Sequence, residues 1–251
     1  MRNKIAVILP LLAVFFTGCQ ITENIYLQED GSGKIVYDID ASGLMALAGD
    51  KLGESGRDNI DSTMTFKQLF EEKKDSIAQM SAEQQAQLKK FEDVSMRMQI
   101  NAAQKQFNLS MLKDFKKTSE LQDMMDAMKV LQSLDKKTAM ADADNPLASM
   151  MDSGGNTELS YAYDGKVFKR TLKVIDPKLQ EMAKDTTGML QMMFGGSNYT
   201  IKYHFPRRVK SVSNPDALYS EDRKTVTIPY SLVDYLEQPD KMSFEVVLDK
   251  K

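Results

Sequence analysis

The chain has 251 residues, a formal net charge of −3 at neutral pH, one cysteine, one histidine and no tryptophan. This length is enough for one large domain or two small ones, and the slightly acidic balance argues against nucleic acid as a partner. A single cysteine excludes an internal disulfide, and a single histidine excludes a His-rich metal site.

The first 18 residues have the pattern of a secretory signal peptide. "MRNK" carries two positive charges, and the uncharged run "IAVILPLLAVFF" follows it. That run is shorter than the about 20 apolar residues that a membrane-spanning helix needs. The pattern therefore predicts an export signal that is removed. Thr17 and Gly18 are small residues of the kind that a signal peptidase needs directly before its cut.

The end of this segment resembles the lipobox of bacterial lipoproteins, in which an aliphatic residue, a small residue and Gly or Ala precede a cysteine. Phe16, Thr17, Gly18 and Cys19 occupy those places, and Phe16 departs from the usual Leu. The resemblance implies cleavage before Cys19, a diacylglycerol thioether on its sulfur and an acyl group on its amine. An ordinary secretory signal with an incidental cysteine is the alternative.

Cleavage before Cys19 would leave 31 Lys and Arg against 36 Asp and Glu, a net charge of −5. This balance argues against electrostatic binding to anionic lipid. Two or three acyl chains on one residue would nevertheless hold the protein on a bilayer without spanning it, since each buried methylene contributes about 0.8 kcal/mol. The expected membrane contact is therefore the N-terminal lipid.

A β-hairpin is predicted directly after the cysteine, with strands over "ITENIYLQ" and "KIVYDIDA". The turn falls at 29–33, "EDGSG", where Asp-Gly favours a tight turn. Residues 49–62 are predicted to be a loop. Residues 65–80 then carry apolar residues at helical spacing, and "SAEQ" at 81–84 matches a capping box that begins a further helix.

Two more hairpins are predicted in the middle of the chain. "VSMRMQIN" and "QFNLSML" alternate strictly around a turn near 102–105, and "LSYAY" and "KVFKRTLKV" flank Asp-Gly at 164–165. Between the hairpins, "TSELQDMMDAMKVLQSL" has one apolar helical face. Residues 135–157 have no period and are predicted to be a linker or mobile loop. Asp176 and Pro177 begin a helix that ends at Gly195-Gly196.

The remaining residues are predicted to be mainly β, with a short helix over "SLVDYLE". The predicted fold class is α+β, with antiparallel β-hairpins forming one or two sheets and amphipathic helices packed on one face. The predicted organisation is a signal peptide over 1–18, a first α+β half over 19–134, a linker or loop over 135–157, and a β-rich second half over 158–251, which can belong to the same domain.

No catalytic constellation stands out along the chain. His204 lies in a predicted strand, where packing or solvent exposure is the preferred interpretation. "GDKLGESG" at 49–56 lacks the Gly-Lys-Ser/Thr ending of a P-loop. "SLDK" at 133–136 fits the Ser-x-x-Lys motif of penicillin-recognising enzymes, but no Lys-Thr-Gly follows, and chance explains the match. We therefore expect no enzyme activity, no catalytic residue, no metal site and no cofactor.

The 18 methionines leave three interpretations open. Met124, Met125 and Met128 lie on the apolar face of a predicted helix, and core packing is preferred for them. Thioethers can also bind Cu(I), which an exported protein can meet. Between these two lies a flexible Met-lined surface that adapts to an acyl chain or a partner helix. These three methionines are the candidate apolar groove.

The mature chain also resembles LppM-like lipoproteins of bacterial envelopes. The resemblance lies in a Gly-rich turn soon after the lipid cysteine, "DGSG" at 30–33, and in a β-rich end, "YHFPRRVKSVSN" through "KTVTIPYSL". It implies an α+β envelope domain, with lipid binding proposed for some members and no enzyme activity.

The expected function is that of a non-enzymatic, lipid-anchored lipoprotein of the bacterial cell envelope that binds a hydrophobic ligand or an envelope protein partner. A structural or assembly lipoprotein with no small-molecule ligand is the alternative. Gln20 and Ile21 follow the cysteine, so the Asp that retains some lipoproteins at the inner membrane is absent. The expected location is the outer membrane, facing the periplasm.

Overall fold

The structure is a computed structural model that describes residues 18–43, 59–121, 157–178 and 187–250. Two β-sheets form its core, one of eight strands and one of four, and a few short helices pack against them. The predicted α+β class is confirmed. The predicted signal peptide up to residue 17, most of the predicted linker, and Met124, Met125 and Met128 lie outside the described residues.

The first part of the described chain contains five strands and three short helices. They are β1 (Gln20–Leu27), β2 (Gly33–Asp40), β3 (Asn59–Thr65), α1 (Phe66–Glu72), α2 (Lys74–Ile77), α3 (Ala82–Lys89), β4 (Ser95–Asn101) and β5 (Gln106–Phe115). A 3-10 turn follows at Thr118–Glu120.

The second part contributes seven strands and two helices. They are β6 (Thr157–Tyr163), β7 (Val167–Val174), α4 (Thr187–Phe194), β8 (Asn198–His204), β9 (Val209–Val212), β10 (Leu218–Tyr219), β11 (Thr225–Ser231), α5 (Leu232–Glu237) and β12 (Phe244–Leu248). A 3-10 turn at Pro239–Met242 connects α5 to β12.

The eight-stranded sheet has the order β10-β11-β8-β1-β2-β5-β4-β3, and the four-stranded sheet has the order β6-β7-β12-β9. Neighbouring strands are antiparallel except for β1 and β8, which run parallel. The first strand therefore lies in the middle of the larger sheet, between β2 and a strand that comes some 180 residues later, since Gln20 pairs with Asn198.

The three predicted hairpins are confirmed. β1 and β2 pair from Gln20–Asp40 to Leu27–Gly33, and Gly31 in their turn has a φ of 84°. The β4–β5 and β6–β7 pairs enclose the predicted turns, and Gly165 takes a φ of 88° in the second Asp-Gly turn. Positive φ is cheap for glycine, which explains why Asp-Gly predicted both turns.

The predicted capping box is also confirmed. The Ser81 hydroxyl accepts a hydrogen bond from the backbone amide of Gln84, and the Gln84 side chain accepts one from the backbone amide of Ser81. Two other predictions were right only in part. The loop predicted over 49–62 is wrong from Asn59 onward, where β3 begins, and the polar residues of this edge strand concealed its alternation. Residues 49–58 lie outside the described part of the chain. The helix predicted over 65–80 is interrupted at Lys73, which leaves helical geometry between α1 and α2.

One face of the eight-stranded sheet packs into the core. A single row of paired residues crosses seven strands on this face, in the order Met64, Met96, Met111, Tyr37, Glu23, Ile201 and Ile228. The row therefore places one carboxylate near the centre of an otherwise largely apolar layer. Within the described residues, no helix has the length and hydrophobicity needed to cross a membrane.

Candidate functional site at the first strand

The predicted lipid attachment residue, Cys19, directly precedes β1 and is buried. Its backbone amide donates a hydrogen bond to the Ser197 hydroxyl at 2.8 Å, and its carbonyl accepts one from the Asn198 amide at 3.0 Å. Both partners lie at the start of β8 or just before it. These two hydrogen bonds therefore hold Cys19 at the end of the sheet where β1 and β8 begin.

Burial raises the pKa of the Cys19 thiol to about 12, with a smaller contribution from the negative charge of Asp40. At neutral pH only about 1 in 10⁵ of such thiols is a thiolate, which is the nucleophilic form. Burial and the raised pKa therefore both disfavour reaction of the Cys19 thiol in the folded chain.

The carboxylate of Glu23, four residues after Cys19 on β1, is also buried. Because side chains alternate along a strand, Ile21, Glu23 and Ile25 all point into the core. The Glu23 side chain has no exposed surface. Its carboxylate accepts hydrogen bonds from four phenols and one guanidinium, those of Tyr37, Tyr161, Tyr199, Tyr203 and Arg170. We call these six residues the Glu23 cluster.

Three of the phenols come from the same sheet as Glu23. Tyr37, opposite Glu23 on β2, donates to Oε2 at 2.9 Å. On β8, Tyr199 donates to Oε2 at 2.5 Å, and Tyr203 donates to Oε1. Tyr199 and Tyr203 flank Ile201, the residue paired with Glu23, so strand register alone brings these hydroxyls together.

The other two donors come from the four-stranded sheet. Tyr161 on β6 donates to Oε1 at 2.6 Å, and Arg170 on β7 donates through Nη2 to Oε2 at 3.1 Å. Tyr161 and Arg170 are paired neighbours in their own sheet. The second Arg170 amino group, Nη1, donates to the Met242 carbonyl at 2.9 Å. The Glu23 cluster therefore joins the two sheets through polar contacts within the core.

The charges in the cluster favour an ionised glutamate. Burial alone would raise the pKa of Glu23, but the Arg170 charge and the hydrogen bonds from Tyr161, Tyr199 and Tyr203 outweigh it and lower that pKa. The pKa values of Tyr161 and Tyr203 are raised well above 10 by burial and by the Glu23 charge. One negative and one positive charge are thus held together among neutral phenols.

The hydrogen-bond count shows what this arrangement can do chemically. A carboxylate offers about four acceptor sites, and five donors converge on Glu23. The Tyr37 and Tyr199 hydroxyls also lie within hydrogen-bond distance of each other. Since each phenol has one hydrogen, both can donate to Oε2 only if neither donates to the other. With its acceptor sites filled and its surface covered, Glu23 cannot take a proton from a substrate. The cluster is a structural cross-link.

Sequence analysis missed the Glu23 cluster, although a signal for it was present. In "ITENIYLQ", Glu23 falls on the same alternating phase as Ile21 and Ile25. Tyr199 and Tyr203 likewise fall on the apolar phase of "YTIKYHF" together with Ile201. An acid on the core phase of one strand and phenols on the core phase of another indicate a buried polar network.

The outer face of the same sheet holds the single histidine. His204 stacks on Tyr26 with ring centroids 4.3 Å apart, and its Nδ1 is 3.1 Å from the Thr225 hydroxyl. The Lys34 ammonium lies 5.0 Å from the centroid of the Tyr26 ring. Burial lowers the pKa of His204, with a smaller contribution from the charge of Lys202. His204 therefore packs as a half-buried aromatic residue.

A groove lies between α1, α2 and α3, with a volume of about 310 Å³. Its floor is apolar, formed by Phe70, Ile77 and Leu88, and its rim carries the charges of Glu71, Lys74, Lys89 and Glu92. We call it the helical groove. No group of three or more His, Cys, Asp or Glu side chains converges as metal ligands in the described part of the chain.

No protein-family model matches the chain, and no curated protein matches it in sequence. Among solved structures, it is similar to the NMR structure of the folded domain of the Mycobacterium tuberculosis LppM protein. The match has 9% sequence identity and a TM-score of 0.33, and it covers 95% of each chain.

Proposed function

We propose that this chain is a lipid-anchored lipoprotein of the bacterial cell envelope that acts by binding a hydrophobic ligand or a protein partner and not by catalysis. The observation that carries the proposal is the position of Cys19, directly before the central strand of the larger sheet. An acylated Cys19 would attach the folded core to the membrane without a flexible spacer. We place the protein at the outer membrane, facing the periplasm.

The burial of Cys19 sets the order of events in this proposal. Because the thiol is buried in the folded chain and its pKa is raised, we expect acylation to precede the docking of β1 into the sheet. Cleavage then removes Gly18, where an added Cβ atom would lie only 2.0 Å from the Gly196 carbonyl oxygen. Without Gly18, the space beside the Gly196 backbone is free next to the new N-terminus. We propose that the acyl chains leave the fold through this space.

The anchoring half of the proposal is tested by Cys19→Ser. Metabolic labelling with an alkyne fatty acid should mark the parent chain and not the variant, because a hydroxyl is a far weaker nucleophile than a thiol. Phe16→Leu is the matched control, since it restores the usual lipobox residue and should keep the label. Label that persists in Cys19→Ser would contradict the lipoprotein assignment.

The helical groove supports binding over catalysis. Its volume is at the lower end of the range for small-ligand pockets, and an apolar floor inside a charged rim suits an acyl chain or an amphipathic segment. The Glu23 carboxylate, by contrast, is sealed from solvent. Met124, Met125 and Met128 stay a second candidate surface for the same ligand.

The binding half is tested by mass spectrometry of lipids that co-purify with the native protein. Ile77→Ser polarises the floor of the helical groove and should reduce bound lipid, whereas Gln79→Ser, on an exposed neighbour outside the groove, should not. Changing Met124, Met125 and Met128 together to Leu tests the second surface. If no lipid is found and neither surface matters, a structural or assembly lipoprotein becomes the better assignment.

A further inference from the structure

Helix α4 lies at the same edge of the molecule as Cys19. The helix ends at Phe194, and the chain then passes through two glycines to Ser197, whose hydroxyl accepts the Cys19 amide at 2.8 Å. Ser197 also accepts, through its carbonyl, the amide of Leu232 at the start of α5. The end of α4 and the start of β1 are therefore fastened together. Met192 precedes Ser197 by five positions, which is at most about 18 Å of chain.

The composition of α4 suits an apolar surface. Its eight residues, "TGMLQMMF", include no charged side chain. Met192 is 83% exposed, the most exposed of the large apolar side chains in the described part of the chain. Single exposed apolar residues are ordinary on protein surfaces. What distinguishes Met192 is its place on an uncharged helix beside the predicted site of acylation.

We propose that α4 lies on the lipid bilayer beside the anchor, with Met192 at the boundary between the headgroups and the acyl chains. This inference rests on the proposed function, because the acyl chains on Cys19 set the edge of the fold that faces the membrane. The mature net charge of −5 opposes attraction to anionic lipid, so the contact is apolar. An uncharged helix meets that requirement.

The docked helix would fix the orientation of the fold on the membrane. The β1–β2 turn lies at the opposite end of β1 from Cys19, and seven residue steps of a strand place it about 23 Å further along the strand axis. Gln28, exposed in that turn, is therefore the matched reference position for Met192.

The test uses the lipidated mature protein in phosphatidylcholine vesicles. The thioether blocks Cys19, the only native cysteine, so Met192→Cys and Gln28→Cys each supply one free thiol for an environment-sensitive fluorophore. We expect a blue-shifted emission at position 192 that nitroxide-labelled lipids quench, and an emission at position 28 that stays water-like and unquenched. Mass spectrometry of the same samples records whether the lipid is attached.

The outcomes separate this inference from the one it rests on. A water-like signal at position 192 in a protein shown to carry its lipid would overturn the docking of α4 and leave the anchor in place. Quenching at position 28 alone, or equal quenching at both positions, would also overturn it, since the fold would then face the bilayer differently. A chain without lipid would overturn both proposals.

Discussion

Replacing Glu23 by Gln should be among the most destabilising isosteric changes in the described core. Glutamine keeps one acceptor oxygen but turns an NH₂ group, a donor, toward tyrosines and an arginine that are themselves donors. It also leaves the Arg170 charge buried without a counter-charge. Breaking a buried ion pair from one side costs about 3–5 kcal/mol, against a total stability of about 5–15 kcal/mol for a typical domain.

Urea unfolding of the chain from Cys19 onward, without lipid, measures this effect. With a slope of about 2 kcal/mol per molar urea, the midpoint for Glu23→Gln should fall by about 2 M. Asp61→Asn is the matched control, because Asp61 binds Arg97 through two hydrogen bonds of 3.0 and 2.9 Å but lies exposed. Solvent screens that pair, so its midpoint should stay unchanged.

Two further results would refute the reasoning about Glu23. The double variant with Glu23→Gln and Arg170→Met should unfold with a free energy about 2 kcal/mol higher than the sum of the two single effects predicts. Simple additivity would exclude the ion pair as the cause.

The second result is the pH dependence. The pKa of Glu23 is lowered in the folded state, so the stability that this group contributes is fully present above its unfolded pKa of about 4.3. That contribution is lost as the pH falls through the folded-state pKa. The gap between parent and variant should therefore shrink below about pH 4.

Tyr161→Phe should lower the unfolding free energy in a urea titration by about 1.5–3 kcal/mol, because it removes the 2.6 Å hydrogen bond from the Tyr161 hydroxyl to the charged Glu23 carboxylate. An unchanged midpoint would show that this contact contributes nothing. In the folded full-length chain, the Cys19 thiol should resist a maleimide and react only on addition of denaturant, because burial raises its pKa to about 12. Rapid labelling of the native chain would contradict the burial. Gly33→Ala should cost about 1–3 kcal/mol by thermal unfolding, since its Cβ would lie 2.1 Å from the Tyr26 carbonyl oxygen; a neutral result would show that the β1–β2 turn can shift.

Local signals in the sequence predicted most of the elements but not their assembly. Asp-Gly turns, strict alternation and the Ser81 capping box each act over a few residues, and each is confirmed. The parallel pairing of β1 with β8 joins residues about 180 positions apart, and no local pattern encodes which distant strand will be the neighbour. The Glu23 cluster depends on that pairing, because Tyr199 and Tyr203 reach the carboxylate only when β8 lies beside β1.

The position of β1 between β2 and β8 also has a mechanical consequence. If the membrane holds Cys19 and a partner pulls on the rest of the fold, the load enters along the axis of β1. Hydrogen bonds to β2 and β8 run across that axis, on both sides and along nearly the whole length of the strand. Such a load shears many bonds at once and does not unzip them one by one. If Cys19 carries the proposed anchor, β1 is therefore held on both sides in the geometry that resists a pulling force.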